Sequence, residues 1–185
     1  MNNSIYYREL ASPLGQIIIA STGQGICGIY FHDQRYFNGT HDWQKMTHSY
    51  LDQAARQLDE YFQGKRQNFD LKLDLTVSGT TFQQAVWRAL LTIPFGHTSS
   101  YRAQAIQIDK PLAVRAVGGA IGRNPISIIV PCHRVLGSDR SLTGYAGGIE
   151  RKQYLLELEG SNPINLLTQS FCEDPEYLPL HDANK

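Results

Sequence analysis

Hydrophobic and polar positions change their period several times along the chain, and each change marks an element. Ile17-Ile18-Ile19-Ala20 is followed by Ser21-Thr22-Gly23-Gln24-Gly25 and then Ile26-Cys27-Gly28-Ile29-Tyr30-Phe31. Short β-branched runs around a Gly-rich break predict a β-hairpin or meander over residues 5–31. Residues 33–48 are polar and aperiodic and read as a loop. From Ser49 to Phe62 the apolar positions Leu51, Ala54, Ala55, Leu58, Tyr61 and Phe62 fall at helical spacing, with Gly64 as the stop. Phe69 to Leu75 alternates strictly, the pattern of a half-exposed strand. Val77-Ser78-Gly79-Thr80 then forms a boundary between an N-terminal unit (1–79) and a second unit (80–160).

The second unit opens with Thr81 as a helix N-cap and Phe82, Val86, Trp87, Leu90 and Leu91 on one face. Pro94-Phe95-Gly96-His97 breaks that helix. Ser99 or Ser100 can cap a short helix from Tyr101 to Ile108, and Asp109-Lys110-Pro111 turns into another, Leu112 to Ile121. Two short helices about a tight turn predict a helix-turn-helix. Apart from Arg115, the second of them carries small or apolar side chains, and Gly118-Gly119-Ala120 permits a very close approach. Tight packing on a neighbour and entry into a narrow groove both fit that composition. Ile126 to Val130 is too short for a helix and β-branched enough for a buried strand, which Pro131 should end. A last helix runs from Glu150 to Glu159, stopped by Gly160. The expected fold class is α+β: an N-terminal α/β unit with a small antiparallel sheet, and a mainly helical, winged-helix-like C-terminal unit.

Composition narrows the setting. With 185 residues, 42% hydrophobic and 18% charged, the chain reads as globular and soluble and is long enough for a real core. No apolar run approaches a membrane span and no secretory signal opens the chain. Three widely spaced cysteines (27, 132, 172) make no disulfide framework, which points to a reducing compartment: the cytoplasm, or the nucleus in a eukaryote. Cys27 with His32, His41 or His48 lacks a second thiol and any ligand spacing, so neither a metal nor another cofactor is expected. Net charge is zero, but residues 1–79 hold 7 basic and 8 acidic groups, 80–160 hold 9 and 5, and 161–185 hold 1 and 4. The basic middle block is the candidate for a polyanion, and the acidic tail reads as mobile.

Candidate chemistry centres on Val130-Pro131-Cys132-His133-Arg134-Val135-Leu136. A thiol beside two positive or positivisable side chains is drawn toward the nucleophilic thiolate. A core cysteine at a strand end with two solvated basic neighbours fits the same residues.

The wider pattern resembles the O6-alkylguanine-DNA alkyltransferases. The matching residues are Phe82-Gln83 with Val86-Trp87, Ile93-Pro94 with Gly96, and Ser100-Tyr101. They continue through Arg115-Ala116-Val117-Gly118, Asn124-Pro125, Pro131-Cys132-His133-Arg134-Val135, Tyr145 with Gly147-Gly148, and Leu155-Leu156 with Glu159-Gly160. The N-terminal unit matches more loosely, through Ser12-Pro13-Leu14-Gly15. The resemblance implies that Cys132 takes an alkyl group from the guanine oxygen, once per molecule. It implies that His133 acts on the thiol through a water, with Glu159 orienting it and Asn124 bracing the turn. Tyr101 would donate a proton or hydrogen bond to the leaving base. Arg115 would fill the gap left by the flipped nucleotide, and the helix carrying Ala116, Gly118 and Gly119 would lie in the minor groove. Tyr101, Pro131, Val135, Tyr145 and Ala146 would line the base pocket. The implied partner is duplex DNA with alkylated guanine, met by a monomer; O4-alkylthymine is left open as a second substrate. A non-reacting DNA-binding relative, in which Trp typically replaces the cysteine, and a Cys-His-Glu thiol hydrolase are the competing readings.

Overall fold

A computed structural model describes residues 4–161. The acidic tail expected over 161–185, with Cys172, lies from residue 162 onward outside the described residues. The meander is present as β1 (Tyr6–Ser12), β2 (Gly15–Thr22) and β3 (Gly25–Phe31), paired antiparallel in that order. A two-residue strand, β4 (Gln44–Lys45), joins β1 in parallel, so the polar stretch read as loop contributes an edge and the sheet is mixed. Helix α1 (Ser49–Phe62) has the predicted bounds and buries Leu51, Ala54, Ala55, Leu58 and Tyr61. Truncating one of its core leucines to alanine would cost about 2–5 kcal/mol.

Three local expectations are corrected. Phe69–Leu75 is not a strand: only Leu73 forms a bridge, to Ile26, with the Ile26 and Asp74 amides donating to Lys72 O and Ile26 O. Alternation there reflects an extended segment laid along the free edge of β3. Ile126–Val130 is not a strand either. Ile126 bridges Ile29 and the chain then turns sharply, with Val130 N donating to Ile126 O. Ile128 sits at φ 73, a conformation that β-branched residues rarely adopt. The run is β-branched because every residue in it is buried, not because it is extended. Both segments occupy the edge of β3 that would otherwise expose unpaired backbone. Third, the N-cap of α2 (Thr81–Leu90) is Thr80, which forms a capping box with Gln83.

Helix α3 (Tyr101–Gln107) is capped by Ser100, and α4 (Val114–Gly122) starts two residues later than predicted. Leu112 therefore precedes α4 and is 100% exposed. The Trp87 indole donates to Ala120 O at 2.9 Å and ties α2 to α4. A 3-10 turn over Cys132–Arg134 leads into β6 (Val135–Leu136), which pairs in parallel with β5 (Ser99–Ser100). Helix α5 (Ile149–Leu158) closes the described chain. One hydrophobic core runs from the β2–β3 and α1 side chains through Trp87, Leu90, Val117 and Ile126 to Cys132, Val135 and Leu155.

Candidate active site

The turn that carries Cys132 is built by an amide side chain. Asn124 follows α4; its Oδ1 accepts from the Ile126 amide, and its Nδ2 donates to Val130 O at 2.8 Å and to Cys132 Sγ at 3.0 Å. This short side chain holds the left-handed residue Ile128 in place and aims a donor at the sulfur. Cys132 is 5% exposed. Burial raises its thiol pKa, while the Asn124 hydrogen bond and the charge of Lys152 oppose the rise.

The expectation that His133 and Arg134 themselves draw Cys132 toward the thiolate is corrected, because both face a different partner. Glu159, the residue after α5, receives His133 Nε2 at 2.9 Å, Arg134 Nε at 2.8 Å, Arg134 Nη2 at 2.9 Å and the Tyr61 hydroxyl at 2.7 Å. Burial alone would raise the Glu159 carboxyl, but His133 and Arg134 hold it down at about 2. It is therefore ionised, and Nε2 of His133 must carry the hydrogen that it accepts. Desolvation lowers the His133 pKa, so the ring is neutral near pH 7. Nδ1 then keeps its lone pair. It is buried without a protein partner among the described residues, the state required of a base.

A cavity of ≈ 340 Å³ is lined by Tyr101, Gly118, Gly119, Tyr145 and Ala146, together with Arg35 and Tyr36. That is the small end of ligand-sized clefts, about 300–1,000 Å³. The Tyr101 hydroxyl donates to Thr143 O at 3.1 Å. Gly144, at φ 55, comes so near that a Cβ would lie 3.1 Å from that hydroxyl. Burial raises the hydroxyl pKa of both Tyr101 and Tyr145, and a charge on Cys132 would add to the rise. Gly118 faces Tyr101 directly, while Arg115 and Ala116 are exposed on the outer face of α4. Val135 is fully buried in β6, and Pro131 lines a separate cleft behind the turn.

Three participants escaped the sequence reading. Lys152 is wholly buried, with Nζ donating to Val135 O at 2.6 Å and Thr143 O at 2.7 Å. Burial lowers its pKa to about 8. Its position inside a polar run on a helix reads as solvated; only the 3.6-residue phase relative to Leu155 and Leu156 hints otherwise. Arg35 and Tyr36 belong to the polar loop. Tyr36 lies between the guanidinium groups of Arg35 and Arg123, each 4.9 Å from its ring centroid. Nothing in the sequence marks them. Among the described residues no cluster of His, Cys, Asp and Glu could hold a metal ion; Cys27 is buried, its thiol pushed up to about 12 by burial and by Asp74.

Residues 81–161 match the family described as 6-O-methylguanine DNA methyltransferase, DNA binding domain, and residues 5–75 match its ribonuclease-like domain. A Methanosarcina barkeri protein named methylated-DNA--protein-cysteine methyltransferase is 46% identical over 85% of this chain and 99% of its own length. A Mycobacterium tuberculosis protein of the same name is 49% identical over 85% and 93%. The crystal structure of M. tuberculosis OGT in complex with DNA has a TM-score of 0.79 at 46% identity, covering 89% of this chain and 99% of that one. An O6-methylguanine-DNA methyltransferase structure from Pyrococcus kodakaraensis aligns with a TM-score of 0.61 at 26% identity, covering 84% and 99%.

Proposed function

The chain belongs to the 6-O-methylguanine DNA methyltransferase family, and on that premise we propose how its own residues perform the repair. It binds DNA and transfers a methyl or other alkyl group from the DNA to a cysteine of the protein. The acceptor is Cys132. The observation that carries this assignment is the pair of contacts at one turn: Asn124 Nδ2 on the sulfur, and His133 held by Glu159 with a free Nδ1.

The target atom of a damaged base is inside the duplex, so the base must be flipped out, at a cost of a few kcal/mol. The cavity bounded by Tyr101, Tyr145 and Ala146 receives it. Exposed Arg115 enters the duplex from α4, whose Ala116, Gly118 and Gly119 let the backbone approach the minor groove. The substrate is O6-alkylguanine. His133 Nδ1 takes the thiol proton through a water. The thiolate attacks the sp³ carbon; an S–C bond forms as the C–O6 bond breaks, and that electron pair moves into the guanine ring. Tyr101 leaves Thr143 O and gives its hydroxyl proton to the ring nitrogen, which neutralises the departing base; solvent then reprotonates the tyrosinate and takes the proton held by His133, leaving the net exchange of a thiol proton for an alkyl group. Asn124 and the Lys152 charge stabilise the thiolate before attack. The thioether is not reversed, so each molecule acts once, as a monomer in the cytoplasm.

No oxyanion hole is needed, because no acyl carbon is attacked. A thiol hydrolase would need one, and the Cys132 amide is already committed to Val130 O at 2.8 Å. The intact thiol likewise disfavours a purely binding relative. Incubation with duplex DNA carrying isotopically labelled O6-methylguanine, followed by digestion and mass spectrometry, should place one equivalent of label on Cys132. Label on Cys27 or Cys172, or turnover beyond one equivalent, would overturn the assignment.

A further inference from the structure

Two guanidinium groups meet on one exposed aromatic ring, that of Tyr36, in the turn after β3. Arg35 and Arg123 each place the guanidinium carbon 4.9 Å from the Tyr36 ring centroid. They therefore lie within about 10 Å of one another, one Debye length at 0.1 M salt. All three residues are exposed. Among the described residues neither guanidinium meets a carboxylate, whereas Arg8, Arg66, Arg134 and Arg151 all do. Asp33, the acid nearest to Arg35 in sequence, is taken by Arg151 at 2.7 Å. The ring attracts the two cations but does not neutralise them.

The fold holds this group in place. The buried Gln34 side chain accepts from Ser127 Oγ at 2.9 Å, and the Arg35 amide donates to Ala146 O at 3.0 Å. Both partners belong to the C-terminal unit. Phe37 N donates back to Gln34 O at 3.1 Å, and Tyr36 inside that turn sits at φ 70, a conformation disfavoured for a residue with a Cβ. Strain of that kind clusters at ligand-binding sites. Arg123 Nη1 donates to Gly119 O at 3.3 Å, which leaves most of its five N–H groups unused. Arg35 and Tyr36 line the same cavity as Tyr101, Gly119 and Ala146, and Arg35 is the charged side chain of that lining. Both fall in the ribonuclease-like match (5–75), outside the DNA-binding match (81–161).

We propose, on the reading that the cavity receives the damaged base, that Arg35 and Arg123, held on Tyr36, clamp a phosphate of the flipped nucleotide. The N-terminal unit is then part of the DNA interface. A flipped base stays joined through its sugar to two phosphates, so these stop where the cavity opens to solvent. Planar guanidinium groups bind phosphate oxygens through paired N–H donors. Such contacts fix position and carry no sequence information, as repair of damage at any sequence requires. Arg35, Tyr36 and Arg123 are positioning residues: they hold the nucleotide out of the stack and do not touch the reacting atoms.

Full-length Cys132→Ser protein is compared with Arg35→Gln and Arg123→Gln made in it. Each is titrated with O6-methylguanine duplex carrying its natural phosphates, or with a neutral methylphosphonate on the 5′ or the 3′ side of the lesion. Loss of an exposed ion pair should weaken binding to the natural duplex about fivefold at 0.1 M salt. The slope of log affinity against log salt should become shallower by about 1. On one of the two methylphosphonate duplexes Cys132→Ser alone should show that loss, and the added variants no further loss. If the variants lose as much on both methylphosphonate duplexes as on the natural one, lose as much on undamaged duplex, or lose nothing, the clamp is overturned. Transfer of label to Cys132 by the parent protein tests the underlying reading separately, and it can succeed where the clamp fails.

Discussion

At the scale of single residues, the two side chains that oppose the burial-driven rise of the Cys132 thiol pKa are not its sequence neighbours. Burial alone would leave Cys132 a protonated, inert thiol. The Asn124 amide and the Lys152 ammonium are the two side-chain influences that favour the anion, and each is separable by mutation. Asn124→Ala removes the donor on Sγ and the acceptor for the Ile126 amide. It should slow single-turnover alkyl transfer about 10²-fold and raise the thiol pKa, measured by iodoacetamide reactivity against pH, with DNA affinity unchanged. Lys152→Met should also raise the thiol pKa, and it frees the Thr143 carbonyl that Tyr101 shares. A transfer rate unchanged in Lys152→Met would remove Lys152 from the mechanism. On the proposed mechanism, the pH profile of the parent protein should follow His133. Its pKa is depressed by burial, so the ring is a competent base at neutrality, and transfer should fall only as pH drops through that depressed value.

At the scale of elements, Glu159 is where α5, α1 and the reactive turn meet, through His133, Arg134 and Tyr61. Its side chain is fully buried and Arg134 nearly so, which makes the pair costly to break on one side only. Glu159→Gln should destabilise the fold by about 3–5 kcal/mol, read from denaturant unfolding. The pH dependence has a definite sign. Glu159 is depressed from 4.5 to about 2, so its contribution is complete above about 4.5 and is lost as pH falls through about 2. The depth of that acid limb is on the order of 3 kcal/mol, and it should be missing in Glu159→Gln. Periodicity sufficed for the helices: α1 needs only its apolar stripe and a glycine stop. It failed at 126–130 because β-branched burial and β-branched extension look alike in one dimension, and Asn124, not the local φ/ψ preference, sets Ile128 at φ 73. The His133–Glu159 contact was legible only through the family resemblance. Arg134 and Tyr61 joining it was not, since neither spacing nor composition brings residue 61 to residue 159.

At the scale of the whole molecule, charge is unevenly divided along the chain. The block 80–160, with 9 basic and 5 acidic residues, carries α3, α4 and most of the lining of the cavity beside Tyr101, whereas residues 1–79, with the sheet and α1, are close to neutral. Salt should therefore weaken DNA binding through counterion release, roughly 0.9 ions per phosphate neutralised. That general attraction does not separate damaged from intact duplex. On the proposed mechanism the separation comes from residues that act once a base has left the stack, and Arg115, exposed on α4, is the residue expected to do so. A side chain standing in for a flipped base and one paired with a phosphate differ in their salt response. Arg115→Ala, made in a Cys132→Ser background that binds without reacting, should weaken binding to O6-methylguanine duplex more than to intact duplex. Its slope of log affinity against log salt should stay that of Cys132→Ser alone. A slope shallower by about 1, with equal loss on both duplexes, would instead make Arg115 a phosphate contact and leave the gap to be filled by another residue, the fully exposed Leu112 being one candidate.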